Sequence, residues 1–379
     1  MIRSPSLKKY LLIPFVLLVL IVVSSHSHHD KIAKFAARYG EQSAATRFTR
    51  SQFIDEDFNY TKVEFKPTRP TIKATGEELK PTVLILSTVA GNSGYGRDRS
   101  FDDFYTTLQS LYKEDEKHSI SLAFLINNYE EFVKVEHYLT TNVTIYDVPA
   151  IEKITLISAP FIEALQGFNR DERHNDRVQR LRRRLIARAR NFLLYHGLQN
   201  EQYTLFIDAD ITHFDHPQKI IPTFIESKKD VIVPRVVRGG NPDYDKNSWR
   251  GHRTKPNQEQ LDKMDDGQWE QWDYVPHDVK GKIYHFEDYV KNSNGERELH
   301  KDDFEYAFPL DSVGGAVLFA KSVIYKQGVI FPTSYIIGTS WDRLEGYDGI
   351  ETEGLCYLAK PLGYLCWGLP NVVAYHSEH

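Results

Sequence analysis

Short apolar runs alternate with amphipathic segments between residues 81 and 234, and this alternation constrains the fold more than any other feature of the chain. The run at 82–87 is apolar on successive residues, as in a strand that is covered on both faces. The segment at 101–111 carries a single apolar stripe, as an amphipathic helix does. Repetition of this order predicts an α/β domain with a mostly parallel central sheet.

The same pattern continues as far as residue 234. It predicts strands at 119–126, 154–158, 203–207 and 231–234, and helices at 129–139 and 174–195. Hydrophobic residues make up 41% and aromatic residues 13% of the 379 residues, which is enough for a large core and excludes a wholly disordered chain. No internal repeat interrupts the pattern, so we predict one large domain at 79–379.

The N-terminus begins with basic residues followed by an apolar run at 10–23. Fourteen residues make about 21 Å of helix, which is short for a bilayer core, although early secretory membranes are thinner. We predict a cytosolic tail at 1–9, an uncleaved signal-anchor helix at 10–25 and a lumenal stem at 26–78, with a cleaved signal peptide as the alternative. In either case the rest of the chain enters the secretory lumen.

Two sequons for N-glycosylation, beginning at Asn59 and Asn142, agree with that address. Cys356 and Cys366 are the only cysteines, too few for a disulfide scaffold or a cysteine-ligated metal cluster. In an oxidising compartment they are either bridged or buried as free thiols. The net charge of −5 argues against nucleic acid as a partner.

Two carboxylates, Asp208 and Asp210, directly follow the predicted strand at 203–207. Ligands of such sheets bind at the carboxyl ends of the strands. Mg²⁺ and Mn²⁺ prefer carboxylate oxygens and commonly share them with substrate phosphates. We therefore predict that both side chains bind a divalent metal; the alternative is that they cap a helix or end a solvated loop.

Nine arginines lie between residues 170 and 190, on or just before the predicted helix that precedes this strand. Most of them are expected to form a solvated face paired with neighbouring acidic residues. Arg183 and Arg190, however, are two turns apart on one face of a helix that leads towards the metal loop. A guanidinium at that place can form a bidentate contact to a diphosphate.

Several segments of the last third are more specific than any single motif. They are LDSVGGA at 310–316, GYDGIETEG at 346–354, WGLPN at 367–371 and VVAYH at 372–376. Together with the Asp-Ala-Asp strand end, ARN at 189–191 and DYDKNSW at 243–249, their order resembles the fungal mannan-polymerase α-mannosyltransferases, glycosyltransferase family 62. The resemblance covers about residues 81–376.

The resemblance implies a GT-A-like nucleotide-sugar-binding domain in a Golgi membrane protein of type II topology. It implies GDP-mannose as donor, Mn²⁺ as cofactor with Mg²⁺ as the alternative ion, and a heteromeric complex with homologous subunits. Asp208 and Asp210 would bind the metal and diphosphate, and His376 would be a further metal ligand. Either Arg182 or Arg183 matches the family's basic helix position, and Thr88 is a further candidate for donor binding.

Asp245 matches a family carboxylate near the donor sugar. The family is described as retaining, and retention by two displacements requires a carboxylate nucleophile. Asp245 and Asp311 are the candidates for it, whereas front-face attack requires neither. Glu351 and Glu353 stand at a predicted helix start, where they either bind the acceptor or act as capping residues.

The predicted function is transfer of mannose from GDP-mannose to an α-mannan acceptor during elongation of the N-glycan outer chain. One alternative is a catalytically silent subunit that binds mannan or supports an active partner. Another is a metal-dependent phosphohydrolase, which would use further His or Asp ligands at the strand ends.

Overall fold

The computed structural model describes residues 48–55, 60–67, 80–90, 92–143, 151–162, 176–267, 274–292 and 295–378. The strands are β1 (Phe48–Asp55), β2 (Tyr60–Pro67), β3 (Thr82–Val89), β4 (Ser119–Ile126), β5 (Ile151–Ser158), β6 (Tyr203–Ile207), β7 (Ile211–Phe214), β8 (Val231–Val237), β9 (Trp249–Arg253), β10 (Asp278–His285), β11 (Phe308–Leu310), β12 (Val317–Lys321) and β13 (Cys366–His376). The helices are α1 (Phe101–Tyr112), α2 (Tyr129–Thr141), α3 (Asp176–Gly197), α4 (Pro217–Glu226), α5 (Gln258–Asp265), α6 (Phe286–Lys291), α7 (Glu296–His300), α8 (Ser322–Lys326) and α9 (Thr352–Ala359).

The large sheet has the order β1-β2-β5-β4-β3-β6-β12-β8-β13-β11, and β7 adds to β13. Strands β5, β4, β3 and β6 are parallel to one another, as are β8 and β13. Only β12 runs against its neighbours in this central part. The structure thus confirms an α/β fold whose central sheet is mostly parallel. Strands β9 and β10 form a separate antiparallel ribbon.

Both faces of the central sheet are buried, as the uninterrupted apolar runs predict. On β3, Val83 and Ile85 pack into the core on one face, while Leu84 and Leu86 pack into the core on the other. Helices α1, α2 and α4 cover the first face, and α3, α8 and α9 cover the second. Because successive side chains of a strand point to opposite faces, one run of apolar residues supplies both layers.

The predicted elements between residues 81 and 234 are all present, with β4 and β6 at the predicted bounds. The predicted stem at 26–78, by contrast, contains two strands of the sheet, since β2 pairs with β5 and β1 pairs with β2. Val63 and Phe65 of β2 are buried in the core. The folded unit therefore begins before the predicted boundary at residue 79.

The predicted anchor at 10–25 and the sequon at Asn59 lie outside the described residues. Within the described ranges, every helix is too short or too polar to cross a bilayer. Cys356 of α9 and Cys366 of β13 form a disulfide, with Cα atoms 6.1 Å apart. Of the two states open from the sequence, the structure shows the bridged one.

Candidate functional site

A tight turn at the end of β6 presents the two predicted carboxylates. The amide of Asp208 donates to the carbonyl oxygen of Ala316 at 2.8 Å, which keeps it in register with the sheet. The amide of Ile211 donates to the carbonyl oxygen of Asp208 at 3.1 Å, so the chain reverses at once and enters β7. Asp208 and Asp210 therefore lie at the carboxyl end of a parallel strand, where such sheets bind ligands.

The turn is held from beneath by Arg99, which the sequence did not single out. Its guanidinium donates to the carbonyl oxygens of Ile211 at 3.2 Å, Ala209 at 3.5 Å and Tyr95 at 2.8 Å, and to the Thr107 hydroxyl at 3.2 Å. A lone arginine between two elements has no periodic signal in the sequence. Only the fold shows that it fixes the backbone of the Asp-Ala-Asp turn.

His376 and Asp210 are in contact although they are far apart in the sequence. The His376 Nε2 atom lies 2.9 Å from Asp210 Oδ2, because β13 pairs with β7 immediately after the turn. The Nδ1 atom lies 2.9 Å from the carbonyl oxygen of Ser377. Burial alone would lower the pKa of His376, but the hydrogen bond and negative charge of Asp210 raise it above its ordinary value.

Arg190 of α3 lies buried behind Asp208. One of its terminal nitrogens donates to Asp208 Oδ1 at 2.9 Å and to the carbonyl oxygen of Gly315 at 3.0 Å. The guanidinium lies 5.7 Å from the ring centres of both Phe206 and Phe331. Only 3% of the side chain is exposed, so Arg190 acts from inside the protein on Asp208.

Glu351 also faces Arg190, with 3.6 Å between its Oε1 atom and the arginine Nε. Its backbone has φ 58° and ψ −133°, a region that residues other than glycine rarely adopt. Such strain persists only where the surrounding structure enforces it, and it is concentrated at functional sites. This geometry gives Glu351 a stronger case for function than simple capping of α9 would.

Asp245 belongs to the same buried cluster. Its Oδ2 atom accepts from the amide of Ala316 at 3.1 Å. Desolvation raises the pKa of Asp208, although 39% of its side chain is exposed, and burial raises the pKa values of Asp245 and Glu351; the Arg190 guanidinium opposes the shift in each case. The single buried charge of Arg190 thus favours the ionised form of all three carboxylates, against the effect of burial.

The Gly-Gly pair at 314–315 allows this cluster to form. A Cβ atom on Gly314 would lie 2.0 Å from Asp245 Oδ2, and one on Gly315 would lie 2.6 Å from the Arg190 guanidinium. No larger residue fits at either position unless the charged side chains move. The motif at 310–316 therefore has a steric reason in this site.

A second ion-pair network lies beside the first. Arg183 pairs with Glu353 at 2.7 Å, and Arg253 contacts Glu353 at 3.3 Å and Asp348 at 3.6 Å. Burial and the charge of Glu353 raise the pKa of Asp348 to about 6, and Arg253 opposes the shift. Because Glu353 is almost completely buried and already paired, its predicted role in acceptor binding gains no support from these contacts.

The remaining predicted residues are spread around this centre. Asp311 accepts from the amide of Gly251 at 2.9 Å and lies 3.7 Å from Lys360, so its contacts differ from those of Asp245. Thr88 is half-buried near the end of β3, and Arg182 is exposed on α3. Asn142 is exposed at the end of α2, where its side chain is accessible to glycosylation.

The residues present fit a hard divalent cation. Asp210 Oδ1 is buried and has no hydrogen-bond partner among the described residues. Two carboxylates and one imidazole suit Mn²⁺ or Mg²⁺ when substrate phosphates complete the shell. In the described part of the chain, no three His, Cys, Asp or Glu side chains are already arranged around one point for a metal. Asp208 is instead turned towards Arg190.

Comparison with known proteins identifies the family. The sequence matches the Anp1 family over residues 59–335. It is 28% identical over 270 residues to the mannan polymerase II complex anp1 subunit of Schizosaccharomyces pombe, covering 68% of this chain and 56% of that protein. It is 27% identical over 310 residues to the mannan polymerase complex subunit mnn9 of the same yeast, covering 79% and 81%.

A third relative is the mannan polymerase I complex VAN1 subunit of Saccharomyces cerevisiae, 30% identical over 243 residues, which covers 61% of this chain and 40% of that protein. The chain thus spans about half the length of several of the curated relatives it matches. Among solved structures, GalNAc-T7 with UDP, GalNAc and Mn²⁺ is similar at 11% identity and a TM-score of 0.42, covering 79% of this chain and 43% of that one. This likeness is too weak to identify an activity. The match over most of the folded residues shows that the chain belongs to the Anp1 family, the family of fungal mannan-polymerase subunits that the sequence resembles.

Proposed function

We propose that the protein is a metal-dependent α-mannosyltransferase that moves mannose from GDP-mannose to an α-mannan acceptor during elongation of N-glycan outer chains. The observation that carries this proposal is the meeting of Asp208, Asp210, His376 and Arg190 at the carboxyl end of β6. The names of the relatives as mannan polymerase subunits support the choice of substrate. A GT-A-like arrangement agrees with the mostly parallel central sheet.

Asp208, Asp210 and His376 would hold Mn²⁺, or Mg²⁺ in its place, together with the donor diphosphate. When bound, such an ion supplies positive charge that stabilises negative charge developing on the departing GDP. Arg190 holds the Asp208 carboxylate in place, and Arg99 fixes the turn that carries both aspartates. Because His376 Nδ1 lies 2.9 Å from the carbonyl oxygen of Ser377, Nε2, which lies beside Asp210, is the nitrogen that would face the ion.

Between the two arginines left open by the sequence, we assign contact with the diphosphate to Arg182. Arg183 is neutralised by Glu353 and also contacts Asn247 at 3.3 Å. Arg182 is exposed on α3, one position before Arg183. An exposed guanidinium at this edge can form the bidentate contacts that phosphates favour.

We further propose that the protein acts in the Golgi lumen, anchored by residues 10–25 as a single-pass type II membrane protein and associated with homologous subunits. The disulfide between Cys356 and Cys366 supports a lumenal location, because such bonds persist in oxidising compartments. The complexes named for the relatives support the heteromeric assembly.

Incubation of the purified full chain with GDP-mannose, Mn²⁺ and a short α-mannoside tests the proposal. We expect mannose to be transferred to the acceptor, and we expect Asp208→Ala to abolish transfer without unfolding the protein. Asp266→Ala is the matched control, since this carboxylate is exposed at the end of α5. Donor binding without transfer would indicate a silent subunit, and cleavage of GDP-mannose to GMP and mannose 1-phosphate without acceptor would indicate a phosphohydrolase; either result would overturn the proposal.

A further inference from the structure

We propose that a second, polar cavity in the same domain binds hexose units of an oligosaccharide at a distance from the Asp-Ala-Asp turn. The cavity has a volume of about 300 Å³. It is lined by Asp215, His216, Lys219, Lys301, Asp302, Phe304 and Asn371. As an acceptor subsite it rests on the transferase activity proposed above, but as a saccharide site it can be tested without that activity.

The walls of this cavity are held in place by specific hydrogen bonds. Asn371 donates through Nδ2 to the carbonyl oxygens of His300 and Asp303, both at 2.7 Å, and accepts from the Tyr289 hydroxyl at 3.1 Å. Asn371 therefore ties the loop that follows α7 to β13. On the opposite wall, the Tyr375 hydroxyl donates to Asp215 Oδ2 at 3.2 Å. Asn371 and Asp215 are thus held in place before any ligand arrives, whereas Lys219, Lys301 and Asp302 are exposed side chains.

The chemistry of the lining favours a neutral ligand rich in hydroxyl groups. Lys219 and Lys301 stand beside Asp215 and Asp302, and Lys301 also pairs with Glu298 at 2.6 Å, so the lining has no excess of positive charge that would favour an anion. A sugar hydroxyl both donates and accepts, and it can use ammonium and carboxylate groups side by side. The ring of Phe304 supplies an apolar surface within this polar lining, as saccharide C–H groups require.

Two strands connect the cavity to the candidate active site. Asp210 and Asp215 stand at the two ends of β7, and His376 and Asn371 lie at the end and in the middle of β13, which pairs with β7. Five residues of chain span at most about 18 Å between Asp210 and Asp215. A polymeric acceptor is therefore long enough to occupy both places at once.

Binding of α-linked mannotetraose to the purified full chain, measured by isothermal titration calorimetry, tests the proposal. We expect Asp302→Ala and Lys219→Ala each to weaken this binding about tenfold, the effect of losing one charge-assisted hydrogen bond. Lys263→Ala is the matched control, because Lys263 is an exposed lysine of α5. Transfer to methyl α-mannoside and the affinity for GDP should stay unchanged in all three variants.

Equal affinity of the wild type and both cavity variants for mannotetraose would overturn the proposal. A second result would also overturn it. In that result inorganic phosphate, titrated in the same way, binds the wild type and binds both cavity variants more weakly, while mannotetraose does not bind at all. If wild-type protein transfers no mannose to any acceptor but binds mannotetraose through the cavity, the proposed transferase function fails and the saccharide site is supported.

Discussion

The buried Arg190 pairs with the partly exposed Asp208, with 2.9 Å between the guanidinium and Oδ1, at the point where β6 ends. The arginine is 3% exposed while 39% of the Asp208 side chain is exposed. The cation is therefore inside the protein and the carboxylate faces the solvent side of the pair. A buried arginine in this place can position Asp208. The sequence predicts a different role for Arg190, which is direct contact with the donor.

Replacement of Arg190 should therefore destabilise the fold as well as the site. Arg190→Gln leaves Asp208 and Glu351 without their common cation, and a broken buried pair costs about 3–5 kcal/mol. We expect the free energy of unfolding to fall by about that amount at pH 7.5 in urea denaturation. The loss should be smaller at pH 5, because the orphaned carboxylates then take up protons in the folded state.

Arg188→Gln is the matched control, since Arg188 is exposed on the same helix. Its free energy of unfolding should stay close to that of the wild type at both pH values. A loss that is equal in the two variants, or independent of pH in Arg190→Gln, would show that the buried pair does not have the role described.

The Gly-Gly segment should tolerate no side chain. In Gly314→Ala the new Cβ atom would lie 2.0 Å from Asp245 Oδ2, so the carboxylate or the strand must shift. We expect a loss of about 1–3 kcal/mol in the free energy of unfolding, together with loss of transfer. Gly240→Ala has nothing within 4 Å of its Cβ and should remain close to the wild type; a stable, active Gly314→Ala protein would contradict the packing described.

The titration of Asp348 should make the free energy of unfolding depend on pH between about 4 and 6. Its folded pKa of about 6 is above the ordinary value of 3.8, so the folded state binds more protons than the unfolded state between these values. The contribution is favourable below about pH 4 and is lost as the pH rises to 6, by about 2–3 kcal/mol. In Asp348→Asn the slope of this part of the pH profile, measured by chemical denaturation, should be smaller than in the wild type by the contribution of one carboxyl group. An unchanged slope would assign the effect to another group.

The disulfide should stabilise the packing of α9 against β13. A bridge between residues ten positions apart contributes about 2–3 kcal/mol by restricting the unfolded chain. Thermal unfolding of Cys356→Ser/Cys366→Ser should therefore begin at a lower temperature than that of the wild type. Adding reductant should lower the unfolding temperature of the wild type to that of the variant and leave the unfolding temperature of the variant unchanged. A change in the variant on adding reductant would contradict this account.

The strands of the central sheet were predictable because both faces are buried, which leaves continuous apolar runs. Strand β2 was missed because its core residues are few: Val63 and Phe65 alternate with charged residues over a short length, and Tyr60 is the other buried side chain. That alternation was the available signal, and it is typical of a strand with one buried face. Strand β1 is recognised only by its pairing with β2, and the composition of a segment does not show pairing.

The candidate site was predictable where a motif coincided with an element end, as at Asp208 and Asp210. The approach of His376 to Asp210 depends on the pairing of β13 with β7, and it was expected from family resemblance alone. Arg99 lies between β3 and α1, and most of its partners are backbone carbonyl groups. Every residue has such a group, so the sequence does not mark them as partners. Contacts of this kind become visible only in three dimensions.

The most direct test of the proposed site is the affinity for GDP with and without Mn²⁺, measured by isothermal titration calorimetry on the wild type and on Asp210→Asn. If Asp210 holds the ion that holds the diphosphate, wild-type protein should bind GDP at least about tenfold more tightly with Mn²⁺ than with a chelator. Asp210→Asn should bind GDP equally weakly in both conditions. The same affinity for GDP with and without metal in the wild type, or full metal-dependent affinity in Asp210→Asn, would contradict the account.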